Sequence, residues 1–338
     1  MKKSLIALAA LAATSAFAQS SVQVVGTFDP SFASVQTTYG NNTSMTNQLI
    51  RNNTQGTSQI TFKGTEDLGG GLKASFLLEN DFDAGKDARN GAAGPAGASN
   101  SNLGSLGGEQ FLNLEGGFGK IALGAPNTPT LFSQSQNPFG TKIGGGFGQL
   151  NSGKVRNNNT VMYSTPAMSG FTGHLAYSTK TKDSSNATTV ADITDIGLFY
   201  NNGPLAVMYT SYKVAATATV AEKTDNNLTA AYDLGVAKIG VAYFTQKQTA
   251  LADAKGTAVF ATVPLSAQLN LLANFGQNDS ALATNLDSKI SAVGLKYSFS
   301  KMTSVYARYA EQTYDNVAAT AATTKKVQTT AIGMMTNF

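Results

Sequence analysis

The ten residues SAQLNLLANF, Ser266 to Phe275, alternate. Ala267, Leu269, Leu271, Ala273 and Phe275 share one side of an extended chain, and Gln268, Asn270 and Asn274 share the other, with Leu272 the exception. Successive side chains on a strand point to opposite faces, so the segment has one apolar and one polar face. The pattern recurs. Leu228, Ala230, Tyr232 and Leu234 oppose Asn227, Thr229 and Asp233, while Ile239, Val241 and Tyr243 oppose Lys238 and Gln246. Val293, Leu295, Tyr297 and Phe299 oppose Lys296 and Ser298, and Val305, Ala307 and Tyr309 oppose Arg308. A soluble sandwich turns such apolar faces inward, whereas a membrane barrel turns them to lipid and lines water with the polar ones.

Composition favours the second arrangement. Charged residues are 13% of the chain, against about 25% in ordinary soluble domains. The polar faces are mostly Asn, Gln, Ser, Thr and Gly, and the apolar faces often end in Tyr or Phe, as an aromatic girdle does. Connections alternate in length. Short links such as Asp67–Gly71, Gly116–Gly119, Pro166–Gly170, Asn202–Pro204 and Ser300–Thr303 lie between long ones at Thr37–Gln55, Asp83–Leu106, Pro126–Arg156, Lys182–Ile193 and Gln312–Lys325. This is the pattern of an all-β, sixteen-stranded antiparallel transmembrane β-barrel with long extracellular loops and short periplasmic turns. An even number brings the last strand beside the first, and closure removes the unpaired edges that hydrocarbon does not tolerate. A barrel of this size encloses an aqueous channel.

The first eighteen residues read as a secretory signal. Lys2 and Lys3 precede the apolar run Leu5–Ala13, and Ala16-Phe17-Ala18 is an A-x-A cleavage site. The mature chain is then 19–338, destined for the outer membrane through the periplasm. Without Lys2 and Lys3, the 24 basic residues become 22 against 20 acidic ones, a net of +2. That balance excludes the strongly basic face of a nucleic-acid partner. The chain has no cysteine, so no disulfide supports it outside the cell.

Pro126–Arg156 breaks the alternation for about thirty residues, beyond the usual length of an unstructured loop in a compact fold. It holds three prolines (Pro126, Pro129, Pro138), the run Gly144-Gly145-Gly146-Phe147-Gly148 and no Asp or Glu. Leu131, Phe132, Phe139, Ile143, Phe147 and Leu150 need a surface to pack on, so the loop is expected to fold into the barrel and narrow the bore; the alternative is a cover over the mouth. From Gly116 to Lys182 there is no carboxylate, but Lys120, Lys142, Lys154, Arg156, Lys180 and Lys182 are present. Lys180 and Lys182 read as rim charges. Glu79 is expected in the bore with Lys73 and Ser75, since Phe76 and Leu78 take the lipid side. Glu109, Asn113 and Glu115 share another polar face, and Lys63 joins Gln59 and Thr61.

Catalytic chemistry has few candidates. His174 is the single histidine and reads as a wall residue, and one His with no Cys supplies neither a metal cluster nor a Cys–His pair. No Gly-x-Ser-x-Gly string is present, and the glycines at 144–148 lack the Lys-Ser/Thr ending of a phosphate loop. No cofactor, metal or catalytic residue is therefore expected.

Several strings carry a resemblance. Val22 with Gly26-Thr27-Phe28-Asp29 resembles the first strand of the general porins of Gram-negative bacteria. The run from Phe62 to Ala74, FKGTEDLGGGLKA, resembles their second hairpin in the beta-proteobacterial branch. Gly116-Gly117-Phe118-Gly119 with Leu123-Gly124, and Asn159–Pro166, resemble the flanks of their third loop, and Phe338 matches their terminal assembly signal. The resemblance implies a barrel, usually trimeric, whose third loop, here Pro126–Arg156, forms an internal constriction. It also implies a passive channel for ions and small hydrophilic solutes that meets outer-membrane lipid, lipopolysaccharide and the assembly machinery. Basic wall sites usual in the family appear here as Thr27, Gln59 and Glu109, and the residue after Leu123-Gly124 is Ala125. Lys63, Lys142, Lys154 and Arg156 remain, so a weak anion preference is expected. A solute-specific channel using Phe132, Phe139 and Phe147 is the alternative, with an outer-membrane hydrolase or adhesin behind it.

Overall fold

The computed structural model describes residues 21–83, 85, 107–145, 155–179, 191–217, 220–249, 253–279, 287–315 and 317–338. The expected signal segment and the chain start at Gln19 lie outside them, as do Lys154, Phe147, Leu150, Lys180 and Lys182.

Eighteen strand segments are described: β1 (Ser21–Phe28), β2 (Pro30–Tyr39), β3 (Ser44–Asn52), β4 (Gln59–Gly69), β5 (Leu72–Asp81), β6 (Gln110–Gly116), β7 (Gly119–Ala125), β8 (Thr160–Ser164), β9 (Phe171–Ser178), β10 (Ile193–Asn202), β11 (Leu205–Val214), β12 (Lys223–Asp233), β13 (Lys238–Gln248), β14 (Ala254–Pro264), β15 (Leu269–Asp279), β16 (Ser288–Ser298), β17 (Thr303–Tyr314) and β18 (Thr324–Asn337). They make sixteen staves. β1 and β2 are one stave bent at Asp29: both pair β18, while β1 pairs β4 and β2 pairs β3. β3 and β4 are likewise one stave, interrupted at 53–58. Every neighbouring pair is antiparallel, and β18 against β1 and β2 closes the ring.

The alternation lands as the periodicity requires. Val22, Val24, Phe62, Leu198, Val241, Val259, Ile332 and Met334 are exposed on the outer face. Their sequence neighbours Phe199, Ala242, Ala258, Phe260 and Ala331 are buried on the inner one. In water such an outer belt would drive aggregation; in lipid it is the favourable surface.

One expected boundary is corrected. Thr37–Gln55, read as a long link, is mostly strand: β2 and β3 continue upward and turn at 40–43. Asn42 sits at φ 64° in that turn, a left-handed conformation that asparagine tolerates. The remaining irregular residues, 53–58, fold inward. Asn53 (φ 59°) starts the excursion, and its Oδ1 accepts from Ser58 N at 2.7 Å to close it.

Candidate functional site: a constriction inside the barrel

A short helix, α1 (Pro129–Gln134), opens the long loop. Pro129 stands in its first turn, where no backbone N–H is required, and the Thr128 side chain accepts from Leu131 N. α1 rests on the inner faces of β9 to β12. Thr130 donates through N and Oγ1 to the two oxygens of buried Asp195, each at 2.9 Å. Phe132 lies beside His174 and Phe199, ring centroids 6.2 and 6.3 Å away. His174 is thus a wall residue, bonded through Nδ1 to Ser164 Oγ at 2.8 Å.

Beyond α1 the loop crosses to the far wall. Asn137 Nδ2 donates to Asn274 Oδ1 and Asn274 Nδ2 to Gly144 O, both at 2.8 Å. Phe139 and Ile143 are buried against Leu272, Ala292 and Ala310, all on inward faces of β15 to β17. Phe132, Phe139 and Ile143 therefore pack inside the bore, where sequence alone left inner wall and mouth open.

The loop roots carry the charges. Glu109 accepts from Asn127 N at 2.9 Å and Nδ2 at 3.0 Å. Arg156 pairs with Asp81 at 3.1 Å, lies 3.6 Å from Glu79 and donates to Asn127 Oδ1 at 3.3 Å. Gln59 Nε2 donates to Glu79 Oε2 at 2.6 Å. Lys142, at the loop tip, donates to Thr57 Oγ1 at 2.7 Å. Burial pulls its pKa below the ordinary 10.5, against the opposing influence of Asp81 and Asp29.

The expected pore residues thus divide. Gln59, Glu79, Glu109, Lys142 and Arg156 come together around the loop. Thr27 stands across from Gln59 and donates to Asn337 Oδ1 at 2.8 Å. Lys63 is exposed on the same inner face, four residues further along β4, and forms no ion pair among the described residues. Glu109 differs from the simple sign reversal expected of it: its carboxylate ties down the loop root. Sequence reasoning missed Asp29, Asp81, Asn127, Tyr306 and Thr57. Arg308 was visible only as a charge on a polar strand face, and Asp29 only as the end of the string Gly26-Thr27-Phe28-Asp29, with no role attached.

A closed antiparallel barrel, apolar outside and polar inside, with a loop seated across its interior, defines a transmembrane channel. A profile described as Gram-negative porin matches residues 4–317. The chain is 33% identical over 264 residues to outer membrane porin protein 32 of Delftia acidovorans, covering 71% of this chain and 68% of that protein. It superimposes on an anion-selective porin from Comamonas acidovorans with a TM-score of 0.75 at 24% identity, covering 95% of this chain and 100% of the other. An outer membrane protein of Vibrio cholerae in a trimer form gives 0.64 at 14% identity, covering 94% and 99%. The chain belongs to the Gram-negative porin family: it is a passive channel of the outer membrane.

Proposed function

We propose that the channel passes ions and small hydrophilic solutes with little discrimination and a weak preference for anions, through a constriction formed by 126–156 and the wall residues Gln59, Lys63, Glu79 and Glu109. The observation that carries this reading is the course of the loop. Its tip is bonded to the inner face of β15 and reaches Thr57, and its single charge between Pro126 and Gly145 is Lys142. The preference is weak because Arg156, the second cation, is already matched by Asp81 and Glu79. Lys154 belongs to the same loop and adds a further cation to it. The fold shared with an anion-selective porin supports the sign.

The solute-specific alternative is less favoured. Phe139 is buried under Arg308 and offers no free ring to a passing solute, and Phe132 packs on the wall beside His174 and Phe199. The channel reading also requires no reaction, and the relatives are channels rather than hydrolases or adhesins. Cleavage after Ala18, a homotrimer, contact with lipopolysaccharide and recognition of Phe338 by the assembly machinery complete the proposal. The trimer form of a protein sharing the fold supports the homotrimer.

Two bilayer measurements test it. Reversal potentials in a potassium chloride gradient should show a modest anion preference that fades at molar salt, where the screening length is about 3 Å; clear cation preference sinks the claim. Excising residues 136–145 should raise single-channel conductance, because surface-closing loops tolerate shortening when the scaffold holds their ends. Unchanged conductance in a folded mutant would mean the loop does not limit flow.

A further inference from the structure

The interruption between β3 and β4 is a second structure inside the bore. Residues 53–58 lie over the inner faces of β2, β17 and β18. Thr54 Oγ1 meets Ser31 Oγ at 2.7 Å, and Gln55 Nε2 donates to Ser304 Oγ at 3.2 Å. A Cβ on Gly56 would stand 2.8 Å from Met335 Sδ, so the chain there runs close to β18. The partners are inward-facing: Phe32 beside Ser31 and Met334 beside Met335 are exposed on the outer face, and Ser304 alternates with exposed Tyr309 along β17.

The excursion is held by side chains distant in sequence. The Asp29 carboxylate is fully buried. One oxygen accepts from Gln55 N at 2.6 Å and Gly56 N at 2.8 Å, and the other accepts from Tyr306 Oη at 2.5 Å. A carboxylate held by backbone donors and a hydroxyl in a buried setting resists displacement. Arg308 is 4% exposed and donates to Thr54 O at 2.8 Å, with Ile143 O of the long loop 3.5 Å from the same nitrogen. Its guanidinium lies over Phe139, 5.0 Å from the ring centre, and over Tyr306 at 5.6 Å. One buried cation therefore touches both elements that enter the bore. The planar guanidinium, able to stack and donate at once, suits that position better than an ammonium does.

We propose that residues 53–58 form a second, fixed part of the constriction, with Thr57 at its edge in contact with Lys142, and that Arg308 is the positioning residue that holds this segment and the long loop together. The pathway taken by hydrated ions then runs beside this joined pair, and residues 53–58 extend the obstruction from the tip of the long loop to the wall at β2, β17 and β18. This rests on the reading above that the long loop narrows the bore.

The absence of native cysteine makes a direct test possible. Thr57→Cys and Lys142→Cys are each reconstituted in planar bilayers and treated with a trimethylammonium-ethyl methanethiosulfonate, with labelling verified by mass. Single-channel conductance of labelled Thr57→Cys should fall by roughly one half, as expected for a bulky group placed at a pore constriction. If Lys142→Cys is blocked and fully labelled Thr57→Cys conducts as before, residues 53–58 are not part of the constriction and the long-loop reading stands. If labelled Lys142→Cys is not blocked, the long-loop reading itself fails. For Arg308, the readout is the labelling rate of Thr57→Cys with Arg308→Gln added. The rate should rise several-fold and open-channel noise should increase. Tyr306→Phe, which removes the donor to Asp29 and keeps the ring, serves if Arg308→Gln does not assemble, and a smaller rise is expected from it. An unchanged rate in whichever of the two variants assembles overturns the positioning role.

Discussion

Lys142 is the most informative single residue. It is the loop's one charge between Pro126 and Gly145, and burial lowers its pKa below 10.5. A lysine with a lowered pKa is charged below that pKa and loses its charge as pH rises through it. The anion preference should therefore hold at neutral pH and decline on alkalinisation at a pH lower than an ordinary lysine requires. Reversal potentials recorded between neutral and pH 10.5 test this, and Lys142→Gln should remove that part of the pH dependence. Glu109 and Arg156 act in opposite senses. Two charges about 7 Å apart interact by about 0.6 kcal/mol in water and several-fold more in a confined bore. Arg156→Ala should therefore weaken anion preference by a few-fold at most and Glu109→Gln should strengthen it. Glu109→Arg is a poorer probe, since it also removes both acceptors of Asn127. A reversal potential indifferent to both Arg156→Ala and Glu109→Gln would place these residues away from the ion path.

Elements explain which features were legible. Period-two alternation is a direct product of the pleat, so β12 to β17 could be read wherever they cross the apolar belt. The upper halves of β2 and β3 could not. Ser34, Gln36, Thr38, Ser44, Thr46 and Gln48 are polar on the same side as Phe32 and Ile50, so alternation vanishes there although the strand continues. The long loop was legible as a loss of pattern, and its apolar residues forecast burial. The Arg156–Asp81 pair was not, because it depends on how the descending end of the loop meets β5, a distance in sequence that no local pattern encodes. The face assignment itself can be tested. Val259→Arg, outward on β14, should cost about 2–4 kcal/mol if it lies near the bilayer midplane, measured by urea unfolding of the barrel in lipid vesicles. The seam offers a second test. Phe338 is bonded through N and O to Gly26, and a Cβ at Gly26 would lie 2.4 Å from its ring. Gly26→Val should displace the ring and lower the yield of assembled barrel, as deletion of Phe338 should. Equal outer-membrane levels of all three proteins would remove the seam from the assembly argument.

At the scale of the whole molecule, closure does what a disulfide does in other exported proteins. Ladder hydrogen bonds run continuously from β1 through β18 and back. Opening one stave in hydrocarbon exposes a row of unpaired backbone groups, each costly without water. The folded chain should therefore resist sodium dodecyl sulfate until heated, and gel mobility of unheated against boiled samples measures this. Retained migration as a trimer before heating is the expected result; migration as a monomer under the mildest detergents would count against the trimer. The outer rim is treated more lightly. Lys213–Glu222, Lys255–Asp279 and Lys289–Asp315 are exposed pairs at 3.0, 3.7 and 3.6 Å, of a kind that contributes about 0–1 kcal/mol each.

The anchors of the bore, Asp29, Asn137, Thr130, Asp195, Asn274 and Arg308, all lie below the hairpin tips and bond to wall strands or to one another's elements. None of these bonds reaches the turn at 40–43 or the connections 215–222 and 315–323. Substitutions at the turn 40–43 should therefore leave the obstruction in the bore, and with it the passage of solutes, unaltered.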